Sequence, residues 1–309
     1  MGNKTLRTAQ KAKRDEFYTQ SSDIENELKH YRTHFKGKKV FCNCDDPKES
    51  NFFQFFAKNF EFLGLEKLVT THFRDDEPTY KLVVDRQLDV NNDGKIDADD
   101  AIKTKLTQCG DFRSSECIEL LKECDIVVTN PPFSLFQDYV AQLMKYNKKF
   151  LIIGNMNAVI NKAMFPLITG NKIWYGVGSN LTMKFRIPDS YEGIIEGDGF
   201  KYGKVSAIAW FTNMIHKKRG EEILLYKSYS PEDYPKYDNY NAINIDKVKD
   251  IPIDYMGEMG VPVTFLGKYN PSQFEVLDIS PHFLRDENMQ GNLIVNGKDK
   301  FTRVLIKRK

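Results

Sequence analysis

The sequence predicts an α/β protein with a doubly wound, mostly parallel sheet, followed by an irregular C-terminal region. Short apolar runs alternate with helical segments over the first 170 residues, which is the rhythm of βαβ units. One run, Ile126–Thr129, is β-branched throughout, as in a strand buried on both faces of a parallel sheet. Beyond about residue 170 the runs become shorter and Gly, Pro, Asp and Asn separate them. We therefore divide the chain into residues 1–170, the main sheet, and residues 171–309, the end of the sheet with an irregular region.

The individual elements follow from apolar periodicity and from turn residues. Strands are predicted over residues 39–43, 68–73, 80–84, 126–129 and 150–153. Helices are predicted over residues 22–35, 114–123 and 136–145, with a further apolar helix that begins at residue 51. In the C-terminal part, short β-like runs are expected at residues 172–175, 205–212 and 223–226.

Charge and composition argue against a disordered chain and limit what can be said about nucleic-acid binding. The 309 residues are 41% hydrophobic and 28% charged, which indicates a folded globular chain. The net charge is only +2, from 45 basic and 43 acidic residues, so that overall charge does not indicate nucleic-acid binding. Local basic clusters occur at residues 4–14, 216–219 and 298–309, and the last of these is placed to contact phosphates.

The cysteines and the N-terminus predict a cytoplasmic protein. The chain has five cysteines, an odd number, and none forms a CxxC pair. This pattern favours reduced thiols over a disulfide framework or a zinc site. The first residues are polar and basic, without the apolar segment of a signal peptide. No apolar run approaches the ~20 residues of a membrane span.

Asn130 follows the buried run directly, and two prolines and a phenylalanine come next. Proline has no N–H for the strand ladder, so Asn130 is predicted at the carboxyl end of a strand, where open α/β sheets bind ligands. There the Asn130 side-chain oxygen and the Pro131 carbonyl can accept hydrogen bonds from an exocyclic amine, and Phe133 can stack on the base that carries it. The candidate catalytic residues are Asn130, Pro131, Pro132 and Phe133, although Asn-Pro also begins ordinary turns.

Two acidic residues follow the first predicted strand. Asp45 and Asp46 lie at its carboxyl end and can accept hydrogen bonds from the charged amino group of a methyl donor. The glycine-rich loop that is common at such a position is absent from this segment. The alternative is that Asp45, Asp46 and Pro47 form a simple turn.

Asp111 and Phe112 lie between Gly110 and the predicted helix over residues 114–123. An acidic residue beside an aromatic residue can hold an adenine, because the carboxylate accepts from its amine and the ring packs on its face. A second interpretation stays open, in which Asp111 caps a turn and Phe112 belongs to the core.

The segment Asp89–Asp100 fits the spacing of a calcium loop. Oxygen-bearing side chains stand at loop positions one, three, five, nine and twelve, and glycine stands at position six. Position twelve is Asp where most such loops have Glu, and a strand-like run precedes the segment where a helix is expected. A polar hairpin without metal is the preferred interpretation, and calcium binding is the alternative.

Trp210 and Phe211 are adjacent in a strand-like run. Neighbouring residues of a strand face opposite sides. One ring can therefore pack inward while the other stacks on an extruded base. The alternative is that both rings belong to the core.

Taken together, these segments resemble the EcoRI-type adenine-specific DNA methyltransferases of restriction–modification systems. The similarity covers most of the chain, and the segments that carry it are 15–19, 41–52, 110–114, 125–133, 210–213, 259–262 and 268–271. The stretch from Asn130 to Phe133 is shared by many amino-methyltransferases. The run from Cys42 to Pro47 is shared by far fewer proteins, so it identifies the family.

The resemblance implies a Rossmann-like fold that binds S-adenosylmethionine, and it implies roles for particular residues. Phe17, Tyr18 and Thr19 match a motif near the methionine end of the donor. Asp45 matches the donor position after the first strand, and Asp111 with Phe112 matches the adenine-binding pair. Catalysis then belongs to residues 1–170, and recognition of the target sequence lies beyond residue 170.

The expected reaction is direct methyl transfer to the N6 amine of an adenine that is flipped out of duplex DNA. It needs no metal and no covalent enzyme intermediate. We expect a monomer whose biological counterpart is a cognate restriction endonuclease, as a functional pair and not necessarily as a complex. The alternatives are methylation of an RNA base or of a protein glutamine, and a non-catalytic DNA-binding protein with this fold.

Overall fold

The computed structural model describes residues 17–44, 46–73, 79–187, 193–280 and 292–309. They form two compact units. The first unit consists of the described residues up to Met156 together with Gly176–Met214, and the second consists of Asn157–Tyr175 and the described residues from Ile215 onward. The predicted division near residue 170 separates two functions, catalysis and target recognition, and it stays a prediction.

The elements of the described residues are numbered in chain order. The strands are β1 (Tyr18–Thr19), β2 (Lys39–Cys42), β3 (Lys67–Thr71), β4 (Tyr80–Asp85), β5 (Ile102–Lys105), β6 (Ile126–Thr129), β7 (Lys149–Asn155), β8 (Trp174–Tyr175), β9 (Leu181–Arg186), β10 (Ile194–Ile195), β11 (Lys201–Thr212), β12 (Ile243–Asn244), β13 (Met259–Pro262), β14 (Phe274–Ile279), β15 (Ile294–Val295), β16 (Lys298–Asp299) and β17 (Arg303–Arg308). The α-helices are α1 (Ser21–Leu28), α2 (Arg32–Phe35), α3 (Asn51–Lys58), α4 (Phe60–Leu63), α5 (Ser115–Glu123), α6 (Phe136–Lys145) and α7 (Phe165–Thr169). Within the described ranges, none of these helices has the length and apolar character needed to span a membrane.

The sheet of the first unit has the strand order β1-β9-β11-β7-β6-β2-β3-β4-β5, and β10 pairs with β11 beside it. The four central strands, β7, β6, β2 and β3, are parallel. The remaining neighbours in this order are antiparallel. The α/β prediction is confirmed, but the sheet is mixed, and the expectation of a mostly parallel sheet is not confirmed. The flanking strand β4 follows β3 after a connection too short for a crossover helix, and short connections favour antiparallel pairing.

The central strands are buried on both faces. All four residues of β6 are buried, and β7 is buried from Phe150 to Gly154. Helix α3 packs an aromatic face into the same core through Phe52, Phe53 and Phe56. Burying each large apolar side chain contributes about 1.5–3 kcal/mol. The strand ends are therefore held on a rigid base.

The four parallel strands end at one side of the sheet, which we call the carboxyl edge. The last residues of β2, β3, β6 and β7 are Cys42, Thr71, Thr129 and Asn155. The opposite side, the amino edge, includes Lys39 and Lys67, where β2 and β3 begin. Ligands of open α/β sheets bind at the carboxyl edge, so the segments that follow these four strands are the candidates for a site.

The second unit has its own sheet, with the order β12-β13-β17-β14, and a two-stranded hairpin formed by β15 and β16. The basic tail, expected to contact phosphates, supplies the inner strand β17. Its residues Val304, Leu305 and Ile306 are buried. The Arg303 guanidinium, also buried, donates to Asp246 at 3.0 Å. Arg303 is therefore committed to this contact, whereas Lys307 and Lys309 are exposed, and the phosphate contact of the tail stays a prediction.

The five cysteines are free thiols, and four of them are buried. Burial raises the pKa of the Cys124 thiol to about 12. Burial likewise raises the pKa of Cys117. A thiol with a raised pKa carries little thiolate at neutral pH and is a weak nucleophile, so these residues fill the core.

Candidate active site

Asn130 lies at the carboxyl edge, directly after β6, whose neighbours in the sheet are β2 and β7. The predicted strand is confirmed. After Pro131 and Pro132 the chain passes through a short 3₁₀ turn, Phe133–Leu135, into α6. Only 5% of Asn130 is exposed, so packing fixes the position of its side chain.

The Asn130 amide is hydrogen-bonded on one side only. Its Nδ2 donates to the Phe17 carbonyl oxygen at 2.7 Å. Because an amide carries nitrogen on one side and oxygen on the other, this bond directs Oδ1 away from Phe17. Oδ1 is buried and accepts no hydrogen bond from the described residues. An unsatisfied buried acceptor costs about 1–3 kcal/mol, and a bound amine donor would remove that cost.

Three phenylalanines form an aromatic cluster beside Asn130. The ring of Phe133 lies 6.3 Å from that of Phe17 and 6.4 Å from that of Phe185, edge-on to both. Phe17 and Phe185 are 6.0 Å apart. Phe17 and Phe185 are buried, whereas Phe133 is half-buried. Phe133 therefore has a supported ring with part of its surface available to a ligand.

Two buried contacts tie the segment after β2 to the end of β6 and to α6. The Thr129 hydroxyl donates to the Asn43 carbonyl, and the Tyr139 hydroxyl donates to the Asn43 side-chain oxygen. Cys44, next to Asn43, has a φ of 72°, in the left-handed region. The chain after β2 thus turns sharply next to the end of β6, where Asn130 lies.

Asp46 is bound to neighbouring side chains. Its Oδ1 accepts from the Tyr80 hydroxyl and from the Lys48 amide, each at 3.0 Å. Its Oδ2 lies 3.3 Å from Nε2 of His72, which follows β3. Asp46 therefore links the turn after β2 to the end of β3 and to β4. Asp45 lies outside the described residues.

Gly110 brings the Asp111–Phe112 segment to the end of β3. A side-chain carbon at Gly110 would lie 2.0 Å from the His72 carbonyl oxygen, and the φ of Gly110 is 78°. Only glycine fits such a close approach with this backbone conformation. The segment therefore lies at the carboxyl edge beside the end of β3.

Asp111 pairs with Arg113, and Phe112 is buried. Both oxygens of Asp111 accept from the Arg113 guanidinium, at 2.9 and 2.6 Å. Burial raises the pKa of the Asp111 carboxyl, but the hydrogen bonds from Arg113 outweigh it and hold this pKa below its usual range. The Phe112 ring packs edge-on against Tyr139 at 4.9 Å. Asp111 is thus a fixed carboxylate, and Phe112 is anchored in the core.

Thr19 carries a second unsatisfied polar atom. Its hydroxyl oxygen is buried and has no hydrogen-bond partner among the described residues. The Thr19 carbonyl accepts from the Asn51 side chain at 2.6 Å. Thr19 and Tyr18 form β1, which pairs with β9 at Phe185 and Arg186. β1 therefore places a free hydroxyl two residues from the Phe17 carbonyl that holds Asn130.

Comparison with known proteins gives the family. The family model described as "Adenine-specific methyltransferase EcoRI" matches residues 5–309. The chain belongs to this family. It is 46% identical to the Type II methyltransferase M.EcoRI of Escherichia coli, over 99% of this chain and 97% of that protein. It is 40% identical to M.MgeORF184P of Mycoplasma genitalium and 39% identical to M.MpnI of Mycoplasma pneumoniae, with 97% of each chain covered in both cases.

The resemblance indicated by the motifs is thereby confirmed. This member of the adenine-specific Type II methyltransferase family has further residues at the site that the sequence analysis did not identify. They are Asn43, Asn51, Tyr139 and Phe185. Asn51 was noted only as the start of a helix, and Tyr139 only as part of α6. Their partners lie tens of residues away in the chain, so that no local pattern indicates the contacts.

Trp210 and Phe211 do not contribute a ring to the site. Their exposed fractions are 1% and 0%. Trp210 packs against Phe52, with ring centroids 6.1 Å apart, and Phe211 packs against Phe136 at 4.9 Å. The hypothesis that one of them stacks on an extruded base is wrong, because β11 is covered on both faces here.

The Asp89–Asp100 segment folds around its own carboxylates. Asp89 accepts from the amides of Asp93 and Gly94, and Asp100 accepts from the amides of Val90 and Asp97. Across the described residues, no group of three or more His, Cys, Asp or Glu side chains is arranged to hold a metal ion. These carboxylates therefore serve the loop backbone in this structure.

Proposed function

We propose that this protein transfers a methyl group from S-adenosylmethionine to the N6 amine of an adenine in duplex DNA. The observation that carries the proposal is the Asn130 amide, whose nitrogen is tied to Phe17 and whose buried oxygen lacks a donor. An exocyclic amine supplies the N–H that this oxygen needs. Membership of the adenine-specific family supports adenine as the base.

Asn130 and Pro131 orient the amine. One N–H of the amine donates to Asn130 Oδ1 and the other donates to the Pro131 carbonyl, so that the nitrogen lone pair points away from both acceptors. Neither acceptor takes the proton during this binding. Phe133 stacks on the base, and Phe17 and Phe185 support its ring. Most of the rate enhancement then comes from positioning.

The donor supplies an activated methyl group on a positively charged sulfur, and the residues after β2 and in β1 fit it. The unsatisfied hydroxyl of Thr19 can bond to its methionine end, next to Phe17 and Tyr18. Asp45 and Asp46 are assigned to its amino group. When transfer is complete, the methylated amine loses its extra proton to solvent.

Asp111 and Phe112 are assigned to the adenine of the donor. An ionised carboxylate has about four lone-pair sites, and Arg113 with its amide occupies three of those on Asp111. One site is left for the donor adenine N6 amine. The lowered pKa of Asp111 keeps it an acceptor at neutral pH.

We propose the wider assignments together with this reaction. Duplex DNA is the substrate, residues beyond 170 read its sequence, and the protein acts as a cytoplasmic monomer. A cognate restriction endonuclease is its functional counterpart. The free state of all five cysteines supports a reducing compartment.

The test is transfer of labelled methyl from S-adenosylmethionine to unmethylated duplex DNA, followed by nucleoside analysis. We expect the label in N6-methyladenine. Label in RNA or in a protein glutamine instead of DNA would replace the proposal with one of those reactions. Donor binding without transfer to any of them would indicate a non-catalytic protein.

Replacement of the catalytic amide tests the mechanism in the same assay. Asn130→Ala removes the acceptor and should lower kcat at least 100-fold while donor affinity changes little. Asn213→Ala is the matched control, because Asn213 lies beyond β11 and bonds to the start of β7 at the amino edge. Near-normal turnover by Asn130→Ala would remove Asn130 from the mechanism.

A further inference from the structure

β11 extends past the carboxyl edge of the sheet. It is twelve residues long, and its second half, from Ile208 to Thr212, pairs with β7. Since the two strands are antiparallel, Ile208 lies opposite Asn155, the last residue of β7, and the first half of β11 continues beyond it. At about 3.3 Å per residue, Tyr202 lies up to ~20 Å beyond the end of β7.

Two strands accompany this extension, and we call the three together the arm: β9, β10 and residues 201–206 of β11. Tyr202 lies opposite Arg186 of β9 on one side and opposite Ile194 of β10 on the other. The arm contributes to the candidate active site, because Phe185 of β9, which lies opposite Gly203 of β11, packs against Phe133. A duplex that delivers a base to Asn130 must therefore approach the edge from which the arm projects.

One face of the arm carries cations in register. Lys184 lies directly opposite Lys204, and Arg186 is two residues from Lys184 on the same face. Like charges opposite each other destabilise a sheet. Lys184 reaches Glu196 at 2.7 Å and Arg186 reaches Glu49 at 2.8 Å, whereas Lys204 is exposed. Ion pairs at the surface contribute only about 0–1 kcal/mol. Lys184 and Arg186 can therefore exchange their carboxylate partners for phosphates.

Large apolar side chains are exposed on β10 and at Phe200, just before β11 begins. The exposed fractions are 73% for Ile194, 66% for Ile195 and 43% for Phe200. The Arg186 guanidinium stacks on the Phe200 ring at 3.6 Å. Proteins that distort duplex DNA insert apolar side chains between bases, and extrusion of an adenine leaves a gap of this kind.

We propose that the arm binds the duplex beside the extruded adenine. Lys184 and Lys204 contact backbone phosphates, and Ile194 and Ile195 pack against the bases that border the gap. The proposal rests on the proposed function, since it requires a duplex whose target base enters the site at Asn130.

The phosphate contacts are tested with Lys184→Ala/Lys204→Ala by measuring duplex affinity over a range of salt concentrations. Each lost contact should reduce the slope of log K against log salt by about 0.9. The loss should be equal for different DNA sequences. Lys38→Ala is the control, an exposed lysine just before β2 at the amino edge. A slope equal to that of the control would overturn the phosphate contacts.

The apolar contact is tested with Ile194→Ser/Ile195→Ser and a duplex that carries 2-aminopurine at the target adenine. We expect weaker fluorescence of the extruded base and a kcat about tenfold lower. A mismatched target pair, which is easier to extrude, should restore the rate. Leu88→Ser is the control, since Leu88 is 48% exposed and follows β4 at the amino edge. Wild-type extrusion by the double variant would overturn this role.

Failure of the arm and failure of the proposed function give different results. If wild-type protein makes N6-methyladenine while both arm variants match their controls, the inference about the arm is wrong and the reaction stands. If wild-type protein leaves duplex DNA unmethylated, the proposed function is wrong, and the arm loses its substrate with it.

Discussion

At the scale of single residues, one hydrogen bond decides how Asn130 is oriented. The Phe17 carbonyl accepts from Nδ2, so that only the oxygen of the amide can face a substrate. A carbonyl can accept hydrogen bonds but cannot donate them. The side-chain group at position 130 therefore needs a donor on one side and an acceptor on the other.

This requirement predicts an unusual pH dependence for Asn130→Asp. An ionised carboxylate would place an oxygen against the Phe17 carbonyl and repel it, whereas a protonated carboxyl can donate to it. We expect kcat of the variant to be low at pH 8 and to rise as the pH falls toward 5.5. The measurement is single-turnover methyl transfer across this range.

The wild-type enzyme and Asn130→Ala supply the comparison for that profile. Neither has a titrating group at position 130, so the rise should be confined to the aspartate variant. An aspartate variant that is fully active at pH 8 would show that the Phe17 carbonyl does not orient this group.

The sequence alone predicts the position of Asn130 in the fold, but it does not predict which residues surround Asn130. The strand before Asn130 and the prolines after it are local signals, and the structure confirms the strand. Phe185 and Tyr139 join the site through contacts made only after the sheet has formed. No local pattern indicated that Tyr80 and His72, from elements that follow later in the chain, contact Asp46.

At the scale of elements, a buried carboxylate joins α1 to the loop before β9. Glu27 is 3% exposed and accepts from the Tyr31 hydroxyl at 3.0 Å. It also accepts from the amides of Val177 and Gly178, at 2.7 and 2.8 Å. Burial and the neighbouring carboxylate of Glu27 raise the pKa of Tyr31. The carboxylate thus fixes the point at which the chain enters β9.

We predict that Glu27→Gln lowers the free energy of unfolding by about 1–3 kcal/mol, because its NH₂ group must face one of the amide donors and leaves it unsatisfied. Tyr31→Phe should cost about 1 kcal/mol, since both amides keep their acceptor. Urea unfolding of the two variants measures the difference. Equal stability of Glu27→Gln and wild type would show that the carboxylate does not hold this loop.

Sequence patterns predicted the bounds of the helices and strands better than they predicted how the strands pair. Helix α6 and strand β6 have the predicted bounds. The predicted helix over residues 22–35 is interrupted between α1 and α2, where Tyr31 turns inward to Glu27. The expected strand at residues 223–226 does not form. Strand direction depends on partners elsewhere in the chain, so the antiparallel flanks could not be read from periodicity.

At the scale of the whole molecule, paired carboxylates in both units predict sensitivity to acid. Burial raises the pKa of Asp85, Asp111 and Asp246, but hydrogen bonds and neighbouring cations outweigh it and lower each pKa below its usual value. A carboxyl whose pKa is lower in the folded state stabilises the protein at pH values above its ordinary pKa, near 4. This stabilisation is lost as the pH falls through the pKa of the folded state.

We therefore expect the free energy of unfolding to be nearly constant from pH 7 to 5, as far as these groups contribute, and to fall below about pH 4. Urea titrations at several pH values measure this. Asp85→Asn, which removes the carboxylate that pairs with Lys67 at 2.8 Å, should show a shallower fall. An unchanged dependence in that variant would exclude Asp85 as a contributor.

The inner position of β17 has a consequence for synthesis on the ribosome. All strands of the first unit's sheet are translated by Thr212, so that this unit can fold while later residues are still being added. The second unit must wait, because β13 and β14 both pair with β17, the last strand of the described chain. Nascent chains should therefore pass through a stage in which the strands of the first unit's sheet are folded and the second sheet is open. A stop codon before Arg303 would make that stage permanent.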